Sequence, residues 1–401
     1  RALHHHPVGS GGVRISHPVV APRPHPRVVE GTVEGARVLF HLDDRRLHVL
    51  NPSAGAIWDE LGHASTVADV AIGVADRFAI EPSSVGDDVQ RLLDRFRADG
   101  LVTVDDRVTA VRCARPHPVA VSASPGVPAT GSYRALGTDL AIVCADTEIA
   151  AVLDRVLAPL HVSACADTSI RIDEEPGGTF TVATGDRPPV RAASRLSVVH
   201  TVLAEVNGAA VRSVPDHLVF HAGAVTGDPG AVLLPAGSNH GKSTLTTALV
   251  RAGFGYLTDE AAAVSSGTVV RPFAKSIVLD PGSFPLFPQL EPAEPHGLGR
   301  ALAAREWHLD ASRLGSVAGP TPVRVVVCPH WRAGATTRVH RCSPTEAMHL
   351  LLGEAFDFAE GGQAVFDLLT TLVASVPVYR LGYSDLAEAV DRVASLVVDP
   401  G

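Results

Sequence analysis

The sequence predicts an α/β domain built around a phosphate-binding loop and preceded by a smaller α+β domain. Two patterns support this fold class. An apolar run, Ala231–Pro235, leads into a turn of small residues and then into Gly-Lys-Ser-Thr at 241–244, where a helical pattern begins. Nearer the N-terminus, a β-hairpin pattern is followed by three helical patterns.

The composition limits the class of protein. The chain has 401 residues, enough for two or three domains, and a formal net charge of −9 without any long block of Lys or Arg. General nucleic-acid binding is therefore not expected. No apolar run approaches the ~20 residues that span a bilayer, so no membrane partner is expected either. The five cysteines show no paired metal spacing, and a reducing cytoplasm is the expected setting: Cys113, Cys144, Cys165, Cys328 and Cys342.

The N-terminal third divides into a tail, a domain and a linker. Residues 1–29 are rich in Pro, His and Gly without periodicity and predict a mobile tail, in which His4–His6 is a solvated run rather than a metal site. Residues 30–105 predict a domain with strands at 38–42 and 47–50 and helices at 53–61, 67–78 and 85–99. Residues 106–130 predict a Pro-rich linker.

Residues 30–105 resemble the PqqD-like family of winged helix-turn-helix domains. The resemblance implies binding of a precursor peptide, whose leader is added as a strand beside the hairpin edge and against the third helix. A winged helix can also bind DNA, but the third helix mixes Asp with Arg, so peptide is preferred. The apolar residues of these helices are expected to form mainly core. The matching motifs are Leu50–Trp58, Thr66–Asp69, Asp88, Val89, Leu92, Leu93, Phe96, Gly100 and Leu101.

Residues 131–401 predict the second domain, with a small α+β subdomain at 131–190 and a nucleotide-binding core at 191–401. In its P-loop, backbone N–H groups and a helix N-terminus would surround a phosphate, and the Ser243 hydroxyl could ligate Mg²⁺. Ala236 replaces the first glycine of the strict pattern, and Asn239 stands where another glycine is common. An ordinary turn with an incidental lysine is the alternative. The predicted nucleotide-binding residues are Gly237, Ser238, Asn239, His240, Gly241, Lys242, Ser243, Thr244 and Lys275.

Two predicted strands add chemistry to this loop. His221 lies in the strand at 218–225, and Asp259 and Glu260 end the strand at 254–260. If these strands flank the P-loop strand, one carboxylate could accept a proton and the other could hold Mg²⁺. The alternatives are a hydrogen-bonded strand histidine and a solvated acidic turn.

Three segments, 220–224, 235–244 and 256–260, resemble the HPr kinase/phosphorylase family and the HPr-kinase-like proteins of peptide-modification gene clusters. The resemblance spans about residues 133–396 and implies a kinase that uses ATP and Mg²⁺. It implies that His221 orients Asp259, that Asp259 is the general base, and that Lys242 binds the β-phosphate. Ser243 and Glu260 would lie close to Mg²⁺.

Several features depart from that family or leave roles open. The regulatory kinases have two Asp where this chain has Asp259 and Glu260, and their later acidic signature is absent, so no phosphorylase activity is predicted. Lys275 could bind a phosphate or be structural, and Arg332 is a weak candidate for stabilising transition-state charge. Relatives form ring-like oligomers, which implies self-association.

Together these features predict a leader-guided kinase that phosphorylates a Ser or Thr hydroxyl of a precursor peptide. Two alternatives remain: a P-loop ATPase that assists peptide maturation, and a non-catalytic, nucleotide-sensing peptide adaptor. The sequence does not separate ATP from GTP.

Overall fold

The computed structural model describes residues 19–103, 129–294, 296–356 and 358–400. The His4–His6 run and nearly all of the predicted linker lie outside these residues. Within the described ranges, no helix is both long enough and apolar enough to cross a bilayer.

The first domain, residues 19–103, packs three helices onto a three-stranded antiparallel sheet of order β2-β3-β4. Side chains start two of the helices, since Asn51 accepts from the Ala54 N–H and Thr66 forms a capping box with Asp69. The three helices lie where the sequence predicts them, within three residues. The elements are β1 (Arg23–Pro24), β2 (Val28–Val33), β3 (Ala36–His41), β4 (Arg46–Leu50), α1 (Pro52–Leu61), α2 (Val67–Phe78), α3 (Pro82–Ala98) and β5 (Val102–Thr103).

The predicted tail needs a correction at residues 19–29, which belong to the first domain. β1 pairs with β5, and β2 is an edge strand of the sheet. Backbone bonds hold the segment, including Ala21 N–H to the Ser65 carbonyl at 3.1 Å and His25 N–H to the Leu101 carbonyl at 2.8 Å. Long-range backbone pairing leaves no periodic pattern, and the sequence therefore predicted a tail here.

A second, five-stranded sheet has the order β10-β9-β8-β7-β6 and is covered by two helices. β7 and β8 run parallel because a helix crosses over between them. This subdomain consists of β6 (Ala129–Ala135), β7 (Thr138–Cys144), α4 (Thr147–Leu157), β8 (Thr168–Glu175), β9 (Thr179–Thr184), β10 (Val190–Ala192) and α5 (Arg195–Arg212).

The core contains an eight-stranded mixed sheet with the P-loop strand, β12, in its interior. β12 is antiparallel to β11 and parallel to β18. Its side chains are buried on both faces, which explains the unbroken apolar run. The elements are β11 (Leu218–Gly227), β12 (Gly230–Pro235), α6 (Lys242–Arg251), β13 (Gly255–Thr258), β14 (Ala261–Ser265), β15 (Val269–Arg271), β16 (Ile277–Leu279), α7 (Gly297–Ala303), β17 (Trp307–Leu309), β18 (Thr321–Trp331), β19 (Arg338–Arg341), α8 (Pro344–Glu354), α9 (Phe358–Ser375), β20 (Val378–Tyr383) and α10 (Leu386–Val398).

The first domain shares an apolar cluster with the core. The Phe40 ring lies edge-on to Phe358 at 5.3 Å and stacks on Phe366 at 6.1 Å. The side chain of Gln363 bonds both backbone groups of Glu30, at 3.0 Å to its N–H and 2.6 Å to its carbonyl. The hairpin is therefore docked on α9, and Gln363 occupies the backbone groups at the edge of β2.

Candidate phosphate-binding and catalytic site

The turn between β12 and α6 has the backbone that a phosphate-binding loop needs. Asn239 has φ of 64° and Gly241 has φ of 86°, a left-handed conformation that Asn and Gly tolerate best. Ala236 is buried and has no positive φ, so the missing glycine does not distort the turn. No side chain caps α6 at Gly241, which leaves the first helical N–H groups open to an anion.

The remaining loop residues line the same turn. Ser238 and Asn239 are exposed, and Gly237 lies beneath the His240 ring. The rings of His240 and His330 are 4.7 Å apart, and the Trp331 N–H donates to the His240 carbonyl at 3.1 Å. The loop is thus held from the β18 side while its tip stays open.

Replacing Gly241 by Ala should weaken nucleotide binding and lower the free energy of unfolding by about 1–3 kcal/mol. Alanine at this position would have to adopt the positive φ of Gly241. Its methyl group would also press against the Tyr383 hydroxyl, which donates to the Gly241 carbonyl at 3.3 Å. Gly253→Ala is the matched control, because its φ is 104° but a Cβ there meets nothing within 4 Å. Calorimetric titration should show weakened nucleotide binding in Gly241→Ala only. Thermal unfolding measures the loss of stability in each variant.

Lys242 points inward, towards His221 and the backbone of Asp259. The residue is 8% exposed, and its Nζ lies 3.0 Å from His221 Nε2 and donates to the Asp259 backbone carbonyl at 3.1 Å. Burial lowers the pKa of Lys242, although Glu260 and Asp259 oppose that effect. Lys242 and Lys275 are the only two lysines in the sequence, and both lie in this site.

His221 lies between Lys242 and two glutamates. Its Nε2 is 3.9 Å from Glu260 Oε1, and its Nδ1 is 3.9 Å from Glu354 Oε2. Burial lowers the pKa of His221, and the Lys242 ammonium lowers it further. A neutral imidazole can accept the Lys242 N–H, which is more than an ordinary strand histidine does.

The predicted site requires that the strands carrying His221 and Asp259 both flank the P-loop strand, and only the His221 strand does so. The strand before Asp259, β13, pairs with β11 and not with the P-loop strand, whose other neighbour is β18. Lys242 still reaches His221 and the Asp259 backbone carbonyl because Gly223 in β11 offers no side chain. A Cβ at Gly223 would lie 3.5 Å from Lys242 Cγ and would collide with the Thr246 hydroxyl. The glycine therefore lets α6 approach the sheet closely.

The two adjacent carboxylates have different environments. Asp259 is 1% exposed: its Oδ1 accepts from the Tyr256 hydroxyl at 2.9 Å and lies 3.4 Å from Lys275 Nζ, and its Oδ2 accepts from the Val278 N–H at 2.9 Å. Asp259 is thus no solvated turn residue, and acting as a base would require it to leave these partners. The Glu260 side chain is 29% exposed and lies 3.8 Å from Lys275.

Glu354, at the end of α8, is a site residue that the sequence reasoning missed. Besides His221, it approaches the P-loop at Gly237, and burial raises its pKa, although His240 and Lys242 oppose that effect. Arg45, in the β3–β4 turn of the first domain, donates to the carbonyls of Leu352 and Ala355 on either side of it, at 2.8 and 3.3 Å. Glu354 ends an amphipathic helix without any motif, so no sequence signal marked it.

The remaining predicted residues occupy varied positions. The Thr244 hydroxyl is 2.6 Å from that of Ser283, and Ser243 is half-buried in the first turn of α6. Arg332 is exposed, one residue beyond the Trp331 contact, and its role stays a prediction. Among the described residues, no three His, Cys, Asp or Glu side chains converge to hold a metal ion. Ser243 therefore fits Mg²⁺ only together with the phosphates of a nucleotide.

Comparisons with known proteins bear mainly on the first domain. Residues 36–102 match the family model of coenzyme PQQ synthesis protein D, PqqD. Among solved structures, TbiB1 in complex with the TbiA(beta) leader peptide is 18% identical, with 20% of this chain and 93% of that chain covered and a TM-score of 0.19. The Hpr(Ser) kinase/phosphatase from Coxiella burnetii is 12% identical, with 45% and 98% covered and a TM-score of 0.25. A search of curated proteins found no match. The family match confirms the resemblance predicted for the N-terminal segment: the chain carries a PqqD domain at residues 36–102.

Proposed function

We propose that this chain is an ATP-dependent kinase that phosphorylates a Ser or Thr hydroxyl of a precursor peptide held by the PqqD domain. The observation that carries the proposal is the Lys242–His221 contact beside the phosphate-binding loop, with Glu260 next to the same imidazole. A P-loop alone indicates phosphate binding, whereas an adjacent lysine, imidazole and accessible carboxylate support phosphoryl transfer.

The residues present fit a nucleoside triphosphate with Mg²⁺. The open N–H groups of α6 and the left-handed turn would hold phosphate oxygens, and the Ser243 hydroxyl would hold the metal. Bound Mg²⁺ supplies neutralisation of the β- and γ-phosphate charge. Lys242 would turn from His221 and Asp259 towards the phosphates, a short movement for a flexible side chain.

In the transfer step, the acceptor oxygen forms a bond to the γ-phosphorus while the bond from that phosphorus to the bridging oxygen breaks, and ADP leaves. We assign the acceptor's proton to Glu260, because this carboxylate is accessible and lies beside His221. Asp259 is then a positioning residue that holds Lys275 and the start of β16 in place. Glu260 is also predicted to be a Mg²⁺ ligand, a role that competes with its assignment as the base. Measuring the Mg²⁺ dependence of Glu260→Gln distinguishes the two roles.

The leader peptide would be added at β4. Within the described residues β4 pairs only with β3, while the backbone of β2 is engaged by Gln363. The end of the third helix lies beside β4, where His48 Nδ1 and the Oδ2 of Asp99, the residue that follows the helix, are 4.0 Å apart. An open strand edge next to a helix supports strand addition. Tethering the peptide there raises its concentration at the P-loop site.

The direct test is to incubate the full chain with ATP, Mg²⁺ and a precursor peptide and to measure peptide mass. The expected product carries one added phosphate, and a peptide without its leader should react more slowly. A wild-type chain that binds both ligands and leaves the peptide unmodified would contradict the proposal. Release of inorganic phosphate in that case would identify the chain as an ATPase instead.

Transfer should slow only as the pH falls below about 6.5, the ordinary pKa of histidine. The folded pKa of His221 lies below that value, so the imidazole is neutral near pH 7 and becomes charged only in acid, 3.0 Å from Lys242. The unfolded chain takes up this proton first, so acid also destabilises the fold. His221→Asn removes the titration and should flatten the acid limb of kcat, whereas His63→Asn, at an exposed position, should not. An unchanged limb in His221→Asn would exclude His221 as its source.

A further inference from the structure

A cavity of about 320 Å³ opens next to Glu260, between α5 and the antiparallel pair of strands β16 and β17. Glu260 and Lys275 form one of its walls, and both also belong to the P-loop site. No residue of the loop at 236–244 is among the described residues that line the cavity. Glu260 therefore contacts two regions: His221 on the side of the loop, and the cavity.

The cavity has apolar sides and a charged end. Leu157, Leu203 and Val278 line its sides. At the end, Glu306 Oε1 lies 2.7 Å from His308 Nε2 and 3.3 Å from His200 Nε2. Burial alone would raise the pKa of Glu306, but the His308 hydrogen bond and the nearby positive groups lower it, so this carboxylate is ionised.

Charge in the cavity is unbalanced. Two carboxylates, Glu260 and Glu306, face one ammonium, Lys275, and two imidazoles, His200 and His308, that carry no formal charge when neutral. A ligand that enters is therefore favoured if it brings positive charge or N–H donors and disfavoured if it brings another carboxylate. The volume is at the lower end of small-ligand sites, about 300–1,000 Å³, and suits one residue of a peptide with part of its neighbour.

We propose that this cavity is the acceptor pocket of the kinase, a proposal that rests on the function proposed above. The Ser or Thr hydroxyl would meet Glu260 beside Lys275, and a Lys or Arg next to it would contact Glu306. Nucleotide and acceptor would thus meet at Glu260 and Lys275, the two residues that the cavity shares with the P-loop site, an arrangement that brings the reacting groups together.

The first test fills the pocket. Ala204→Trp places an indole at the cavity mouth from the exposed face of α5, and Ala151→Trp, on the exposed face of α4, is the matched control. The probe is a short leaderless peptide with Arg beside its Ser, added to the full chain loaded with a non-hydrolysable ATP analogue. Ala204→Trp should weaken peptide binding by about 10- to 100-fold, a loss typical of a blocked or displaced substrate contact, and Ala151→Trp should not. Nucleotide affinity and thermal unfolding should match between the two variants.

The second test uses a ratio that is insensitive to partial unfolding. The wild type should bind the Arg-flanked peptide more tightly than the same peptide with Glu in place of Arg, and Glu306→Gln should reduce that preference. Equal peptide binding by Ala204→Trp and wild type, or a lost nucleotide affinity in Ala204→Trp, would overturn the pocket assignment. Failure of the kinase proposal is a separate result, since it appears as absent phosphoryl transfer in the wild type whatever the peptide affinity.

Discussion

Replacing Lys242 by Ala should lower kcat for peptide phosphorylation by about 10³-fold or more. The ammonium is the positive group that can turn from His221 and Asp259 to the phosphates, and a fixed charge of this kind acts strongly in a site shielded from water. Lys242→Arg should not restore the rate, because a planar guanidinium does not fit the buried space that the compact ammonium occupies. The measurement is steady-state kinetics with nucleotide affinity determined alongside.

A matched control for Lys242→Ala is Arg251→Ala, which removes a positive charge from the opposite end of the same helix. This variant should keep wild-type kcat. Full turnover in Lys242→Ala would show that the loop does not act on phosphates, and peptide maturation that persists without turnover would favour the nucleotide-sensing adaptor.

Glu260→Gln should lower kcat by about 10²- to 10⁴-fold, the range expected for loss of a general base, with a small effect on nucleotide affinity. Asp259→Asn should behave differently, because it removes the nearer and more deeply buried of the two carboxylates beside the buried Lys275 ammonium. Breaking a buried pair in this way costs about 3–5 kcal/mol of unfolding free energy. Kinetics and chemical denaturation of the same two preparations separate a catalytic effect from a structural one.

The opposite pattern would support the role that the family resemblance implies for Asp259. In that case Asp259→Asn would lose turnover with unchanged unfolding, and Glu260→Gln would stay active. A Mg²⁺ requirement that shifts to higher concentration in Glu260→Gln would instead assign this carboxylate to the metal.

Local patterns in the sequence singled out residues that the structure brings together in the candidate site. His221 interrupts a short apolar run, the Asp259–Glu260 pair ends another, and Lys242 follows a turn of small residues at the start of a helix. Such positions can be recognised without knowing the neighbours of a strand. The pairing of the strands depends on contacts distant in sequence. The register of β11 shifts between Ala224 and Val225 where it meets β13, and no pattern in the sequence indicates this shift.

Other elements were missed for a different reason. The range Phe358–Ser375 consists of two helical segments that meet at Gly362, whose φ of 55° and ψ of −139° are not helical, so Gly361 and Gly362 do indicate the break. The docking of Phe40 on this helix joins residues more than three hundred positions apart, so it could not be read from local spacing. The contacts of Arg45 with Leu352 and of Glu354 with His221 are likewise long-range and could not be read from local spacing.

The chain uses arginine for nearly all of its positive charge, and its only two lysines lie together beside the phosphate-binding loop. Both residues are less than a tenth exposed, at 8% and 6%. Amine-selective chemistry on the folded protein therefore has few competing targets besides the terminal amine. A nucleotide carrying an acylating phosphate should label these lysines almost without background, and occupancy of the site could be followed by mass spectrometry in the unaltered chain.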